Sequence, residues 1–179
     1  MTQVGSVYGE ALYDLAAGEN LSDEILSQLS VLDESFRQAP DFLRLLTAPG
    51  LTKQERCGIV DDSFRGKLHP YLLNFLKILT EKGYARHFSD CCAAYRERYN
   101  EDHGILPVSV MTAVPLSEEQ SQRLTQKLSG ITGKTVELSN RIDPAVLGGI
   151  RLDYNGQRLD DTVANRLDSL RSLLKNTQL

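Results

Sequence analysis

The chain has 179 residues, of which 41% are apolar and 25% charged, so it can bury a stable core without disulfides or metals and is too apolar for wholesale disorder. Its net charge of −4 opposes a surface built mainly to hold phosphate backbones, which requires an excess of Lys and Arg. The charge is uneven: residues 1–103 carry 16 acids against 11 Lys and Arg, whereas residues 104–179 carry 8 against 9, consistent with two separate binding faces or with an acidic bundle beside a near-neutral domain.

The first hundred residues read as short helices. Val4, Val7, Tyr8, Ala11, Leu12 and Leu15 recur at intervals of three and four, the period of one broad helical face, and Gly18 ends the pattern. Asn20 is a candidate cap for a second helix striped by Leu21, Ile25, Leu29, Leu32 and Phe36, which Pro40 interrupts; Asp41 to Leu46 supplies a short third. Thr52 and Glu55 have capping-box spacing ahead of Ile59, Val60 and Phe64. Pro70 suits the first turn of a fifth helix, in which Tyr71, Leu72, Leu73, Phe75, Leu76, Ile78 and Leu79 cover almost the whole circumference. Lys82–Gly83 is a stop, and Phe88, Cys92, Tyr95 and Tyr99 stripe a sixth helix. The expectation is a compact six-helix bundle over residues 1–103.

The period changes after Gly104. Leu106, Val108, Val110, Thr112 and Val114 alternate as in a strand, with Pro107 suited to its start or to a sheet edge. Ser117 and Gln120 form a second capping-box pair, followed by a helix whose apolar side is Leu124, Leu128 and Ile131. A strand from Thr135 to Asn140 comes next. Ile150, Leu152 and Tyr154 alternate into Asn155–Gly156, a hairpin-turn signal, and Leu159 belongs to the return strand. Asp160 or Asp161 can cap a final helix striped by Val163, Leu167, Leu170 and Leu174. Residues 104–179 therefore read as a small α+β domain.

Catalytic patterns are lacking. Gly133–Lys134–Thr135 resembles the end of a P-loop, but Leu128 stands where that loop needs glycine, and the phrase joins helix to strand instead of strand to helix. Gly148–Gly149 lacks dinucleotide-binding spacing and suits close packing or a bulge. Cys57, Cys91 and Cys92 form no CxxC pair, and three is an odd number for a disulfide framework, so free thiols in a reducing cytosol are expected. His69, His87 and His103 belong to no ligand motif. The expectation is no catalytic residue, no metal and no cofactor. The N-terminal residues lack the basic start and apolar run of a secretory signal, and no stretch of 18 apolar residues occurs, so the expected membrane association is through partners.

Two readings of the fifth helix stand: it is bundle core, or part of it lines a groove for another helix, with Val4, Tyr8 and Leu12 as the opposite wall.

The phrase LGGIRLDYNGQRLDDTVANRLDSLRSLL, residues 147–174, combines a Gly-Gly strand, a glycine turn and an Asp-containing helix entry. It resembles the F-type ATP synthase delta subunit and the mitochondrial oligomycin sensitivity-conferring protein. VYGEALYDLA at residues 7–16 and RHFSDCCAAYRERYNEDHG extend the likeness over effectively the whole chain. Thr162 stands where the family commonly has serine, and Gly83–Tyr84–Ala85–Arg86 replaces a more compact junction.

That resemblance implies a non-catalytic stator subunit, peripheral on the cytoplasmic face of a bacterial membrane, which resists rotation of the catalytic head while ion flow is coupled to ATP synthesis or hydrolysis. It implies that residues 1–103 bind the N-terminal helix of an alpha subunit, with Val4, Tyr8, Leu12, Leu72, Leu76 and Leu79 as candidate contacts. Residues 104–179 would engage b-type peripheral-stalk subunits, and Gly148, Gly149, Gly156 and Asp161 would set backbone geometry and capping. No direct contact with nucleic acid is expected. The alternative is a generic helical regulator or a nucleic-acid-associated adaptor, which a coherent basic patch would favour.

Overall fold

The computed structural model describes residues 2–48, 50–144, 146, 148–154 and 156–161. The chain divides into two compact units, Met1–Tyr99 and Asn100–Leu179.

The first unit is a bundle of α1 (Gln3–Gly18), α2 (Ser22–Gln38), α3 (Pro40–Leu46), α4 (Lys53–Phe64), α5 (Pro70–Lys82) and α6 (Phe88–Asp102), the last running across the boundary. A single 3₁₀ turn, Ala85–His87, precedes α6 and occupies the junction that departs from the family pattern. The expected stripes meet in one core: Ile25, Leu29, Leu32 and Phe36 of α2, Val60 of α4, Leu72, Phe75, Leu76 and Leu79 of α5, and Phe88, Cys92 and Tyr95 of α6. Phe36 is its aromatic centre, stacked on Phe42 at 5.6 Å and edge-on to Phe88 at 5.0 Å. Offset and edge-on geometries place the positive rim of one ring against the negative face of another.

Local chemistry accounts for the helix ends. The Thr52 hydroxyl accepts the Glu55 N–H at 3.2 Å while the Glu55 carboxylate accepts the Thr52 N–H at 2.8 Å, so two orphan amides of α4 are satisfied reciprocally. Pro70 opens α5, where His69 Nδ1 accepts the Tyr71 N–H at 3.3 Å, and Gly83 closes it at φ 77°. Asn20 serves a different end from the one expected. At φ 58° it terminates α1: its N–H donates to the Ala17 carbonyl at 3.2 Å, and the Leu21 N–H donates to the Ala16 carbonyl at 2.8 Å. Asparagine tolerates the left-handed conformation that this C-terminal closure requires, and Leu21 takes the N-cap position of α2.

The second unit holds β1 (Ile105–Thr112), α7 (Glu118–Thr132), β2 (Thr135–Ile142), β3 (Ile150–Tyr154) and β4 (Gln157–Asp160) in a mixed sheet of order β2-β1-β3-β4. β1 and β2 run parallel with α7 as their crossover; β1–β3 and β3–β4 are antiparallel. Register puts Leu106, Val108, Val110, Val136 and Leu152 on one face, and Leu116, Leu124 and Leu128 pack against them. The opposite face is polar, with directly opposed ion pairs Arg151–Asp160 at 3.2 Å and Arg158–Asp153 at 2.7 Å. Pro107 lies in an interior strand but precedes the β3 pairing, which begins at Val108, so its missing N–H costs no bond on that side.

Several expectations shift here. β1 ends at Thr112, whose hydroxyl donates to the Val114 carbonyl at 2.7 Å and turns the chain away, leaving Val114 68% exposed. β2 continues two residues past Asn140. Ile131, in the last turn of α7, is 83% exposed and does not join Leu124 and Leu128. Gly133 closes α7 at φ 67° before Thr135 enters β2, so Gly133–Lys134–Thr135 is a helix-to-strand turn. Tyr154 opposes Gln157 across the end of the β3–β4 pairing, and Gly156 lies at φ 71°. Asp160 lies in β4 paired with Arg151, and the Asp161 N–H donates to the Ile150 carbonyl at 3.0 Å. Asn155, Thr162 and the expected final helix, with Val163, Leu167, Leu170 and Leu174, lie outside the described residues.

Candidate partner-binding surfaces

α1 has two apolar sides, and the bundle uses one of them. Gly5, Gly9, Leu12, Tyr13 and Ala16 are buried, and a Cβ at either glycine would collide with α6. The two helices therefore meet at nearly backbone distance, which sets the rotation of α1 about its axis. Its first turn is tied to the same helix. The Thr2 hydroxyl accepts the Gly5 N–H and donates to Asp90 Oδ2, and this last bond, foremost, holds the Asp90 carboxyl below the usual carboxylate range.

With that side committed, Val4, Val7, Tyr8, Ala11 and Leu15 face outward. Val7 is 59% and Leu15 46% exposed, while Val4 and Tyr8 are half-buried. Tyr8 stands edge-on to Tyr84 at 5.8 Å, and Tyr84 directly follows the Gly83 cap, so this aromatic pair ties the outer side of α1 to the end of α5. On α5 itself, Asn74 and Ile78 are exposed and Leu73 is half-buried.

Of the six contacts expected from the sequence, Leu12, Leu72, Leu76 and Leu79 are buried in the bundle's own core, each 4% exposed or less, and are spent on holding the helices together. Val4 and Tyr8 remain at the surface, beside the exposed apolar Val7 and Leu15, which are not among those six. The available signal was the pair Gly5 and Gly9: glycines one helical turn apart mark the side that approaches another helix. Gly148 and Gly149 lie at φ 133° and 87° just before β3, a path that L side chains rarely follow.

In the second unit, exposed apolar side chains gather where β1 and β2 end. Thr112 opposes Ile142, which is 55% exposed, and Val114 lies two residues on. Leu159 on the edge strand β4 is 57% exposed.

None of these surfaces has the makings of chemistry. Among the described residues no three His, Cys, Asp or Glu converge as metal ligands, and no helix is long and apolar enough to cross a membrane. Cys91 and Cys92 are buried free thiols; burial pushes Cys91 up to about 12 and Cys92 higher still, the opposite of an activated nucleophile.

A family model described as "ATP synthase delta (OSCP) subunit" matches residues 4–174. The chain is 30% identical over 172 residues to ATP synthase subunit delta of Clostridioides difficile, covering 96% of this chain and 95% of that one. It is 31% identical to the subunit delta of Enterococcus faecalis, with coverage of 96% and 95%, and 31% identical to that of Gloeobacter violaceus, with coverage of 94% and 92%. A chain of the Toxoplasma gondii mitochondrial ATP synthase hexamer shares the fold, with a TM-score of 0.76 at 20% identity over 97% of this chain and 98% of that one. These likenesses settle the assignment: the chain belongs to the ATP synthase delta (OSCP) subunit family and is a non-catalytic stator subunit of F-type ATP synthase, linking the head to the peripheral stalk.

Proposed function

We propose that residues 1–103 dock on the catalytic head by receiving the amphipathic N-terminal helix of an alpha subunit on the outer side of α1, and that residues 104–179 engage b-type stalk subunits. The observation that carries this reading is the outward apolar stripe of Val4, Val7, Tyr8 and Leu15, held in place by the contact of Gly5 and Gly9 with α6. A helix laid along that stripe removes several large apolar side chains from water, each contributing on the order of 1–3 kcal/mol before ordering costs. On α5, Ile78 is the large apolar side chain left exposed and is the candidate α5 contact for the same incoming helix. In the second unit, Val114 and Ile142 supply the apolar contact for the stalk. In the cell this places the chain peripherally on the cytoplasmic face of a bacterial membrane, held there by the rest of the complex.

Calorimetry with an alpha N-terminal peptide and a soluble b-subunit segment separates the two faces. Val7→Asp or Tyr8→Asp weakens the alpha peptide roughly tenfold or more while leaving the b segment unaffected. Wild-type affinity for the alpha peptide in both variants, with an unchanged melt, would remove α1 from the interface.

A further inference from the structure

A cluster of polar and titratable side chains touches both α1 and the connection between α5 and α6. The Thr2 N–H reaches Asp90 Oδ2 at 3.3 Å, and the Thr2 hydroxyl donates to the same oxygen at 2.7 Å. His87 Nδ1 stands 3.3 Å from Thr2 Oγ1 and 3.8 Å from Asp90 Oδ2. The His87 ring is also edge-on to Tyr84 at 6.3 Å, and Tyr84 contacts Tyr8 in turn. One imidazole thus borders the cap of α1 and, through Tyr84, the rim of the docking stripe.

We propose that Thr2, His87 and Asp90 form a latch that grips the first turn of α1 more firmly when His87 is charged, making uptake of an amphipathic helix on the outer side of α1 dependent on pH. This rests on the docking reading above. The Thr2 hydroxyl has one proton, given to Asp90, and its oxygen accepts the Gly5 N–H at 3.3 Å. A neutral imidazole protonated only at Nε2 turns a lone pair toward that oxygen and competes for its proton. The charged ring carries an N–H at Nδ1, which donates to Thr2 and attracts the Asp90 carboxylate.

Histidine is the side chain whose charge changes between pH 5 and 8. Asp90 stays ionised through that range, its carboxyl held low first by the Thr2 hydroxyl and further by the Thr2 N–H and His87. Two further charged side chains nearby in the chain make hydrogen bonds to neutral hydroxyls and keep their charge: Arg86 Nε donates to Thr47 Oγ1 at 3.3 Å, and Glu10 accepts from Ser6 at 2.7 Å. Cys91, beside Asp90, is buried and neutral. The first turn has little room to adjust, because a Cβ at Gly5 would lie 2.4 Å from the Asp90 Cβ.

The test uses the full chain and an alpha N-terminal peptide, titrated calorimetrically between pH 6 and pH 8. Wild type binds about two- to fivefold more tightly at pH 6, the range of a partly exposed ion pair. That gain is absent in His87→Gln and in Asp90→Asn, which keeps an acceptor for Thr2 but not the charge. Hydrogen exchange at the Gly5 amide, corrected for the intrinsic pH dependence, reads the latch without any peptide: wild type gains protection at pH 6 and His87→Gln does not. Parallel pH profiles for wild type and His87→Gln overturn the latch. Should the peptide fail to bind at every pH, the docking reading falls and the Gly5 exchange alone decides the latch.

Discussion

Gly9 of α1 faces the Cys91 carbonyl of α6 so closely that a Cβ at Gly9 would stand 2.4 Å from that oxygen and 2.7 Å from the Ala94 Cβ. Backbone cannot yield as a flexible side chain does. Gly9→Ala therefore loses more from overpacking than it gains in helix propensity, and should destabilise the bundle by about 1–3 kcal/mol. Gly58 in α4 is the control, with nothing within 4 Å of a Cβ. Gly58→Ala should stabilise by about 0.5–1 kcal/mol. Thermal melts of the two variants should move in opposite directions.

Core and surface leucines should separate in the same manner. Leu76 is 4% exposed, and Leu76→Ala should cost about 2–5 kcal/mol of stability, with losses in binding that follow the melt. Leu15 is 46% exposed, and Leu15→Ala should change stability by no more than about 0.5 kcal/mol while weakening the alpha peptide. Denaturant unfolding beside calorimetry checks both. Equal destabilisation by the two variants would mean that Leu15 belongs to the core.

Acid should destabilise the bundle modestly through three carboxylates. Asp61 is held low by hydrogen bonds from Lys77 and Arg65, Asp90 by Thr2, and Glu55 by the Thr52 N–H and hydroxyl. Each has a folded pKa below its unfolded value, so its contribution is complete above the unfolded pKa and is lost as pH falls through the folded one. Titration of these carboxyls themselves should leave the melting temperature unchanged from pH 8 to about 5 and lower it below about pH 4. Asp61→Asn should lower the neutral-pH melt and flatten the acid limb.

The thiols should sort by burial. Cys91 is 1% and Cys92 5% exposed, with Cys91 pushed up to about 12, whereas Cys57 is half-buried. Iodoacetamide at pH 8 should label Cys57 in the native chain and reach the other two only on unfolding, as peptide mapping by mass spectrometry would show. Native labelling of Cys92 at the rate of Cys57 would contradict the packing of α6.

Much of the architecture was legible because its determinants are local. The Thr52–Glu55 and Ser117–Gln120 capping boxes form across single turns, as their spacing implies. The hairpin joining Tyr154 to Gln157 needs only two residues that tolerate positive φ. Asn20 was assigned to the wrong helix end because asparagine suits both an N-cap and a left-handed closure, and only the bonds to Ala16 and Ala17 distinguish them.

The sequence by itself determined the order of helices and strands among the described residues and the family to which the chain belongs, since periodicity, caps and the phrase at residues 147–174 are properties of neighbouring residues. Only the tertiary structure decided which apolar side is left exposed. On α1, residues at both Leu12 and Leu15 are apolar, and hydrophobicity gives no preference between them. The choice came from Gly5 and Gly9, which let α6 approach one side to backbone distance, buried Leu12 and turned Val7 and Leu15 outward. On α5, packing from several directions buried Leu72, Leu76 and Leu79 and left Ile78 exposed. Those outcomes depend on residues far apart in the chain, because burial is a property of the assembled core.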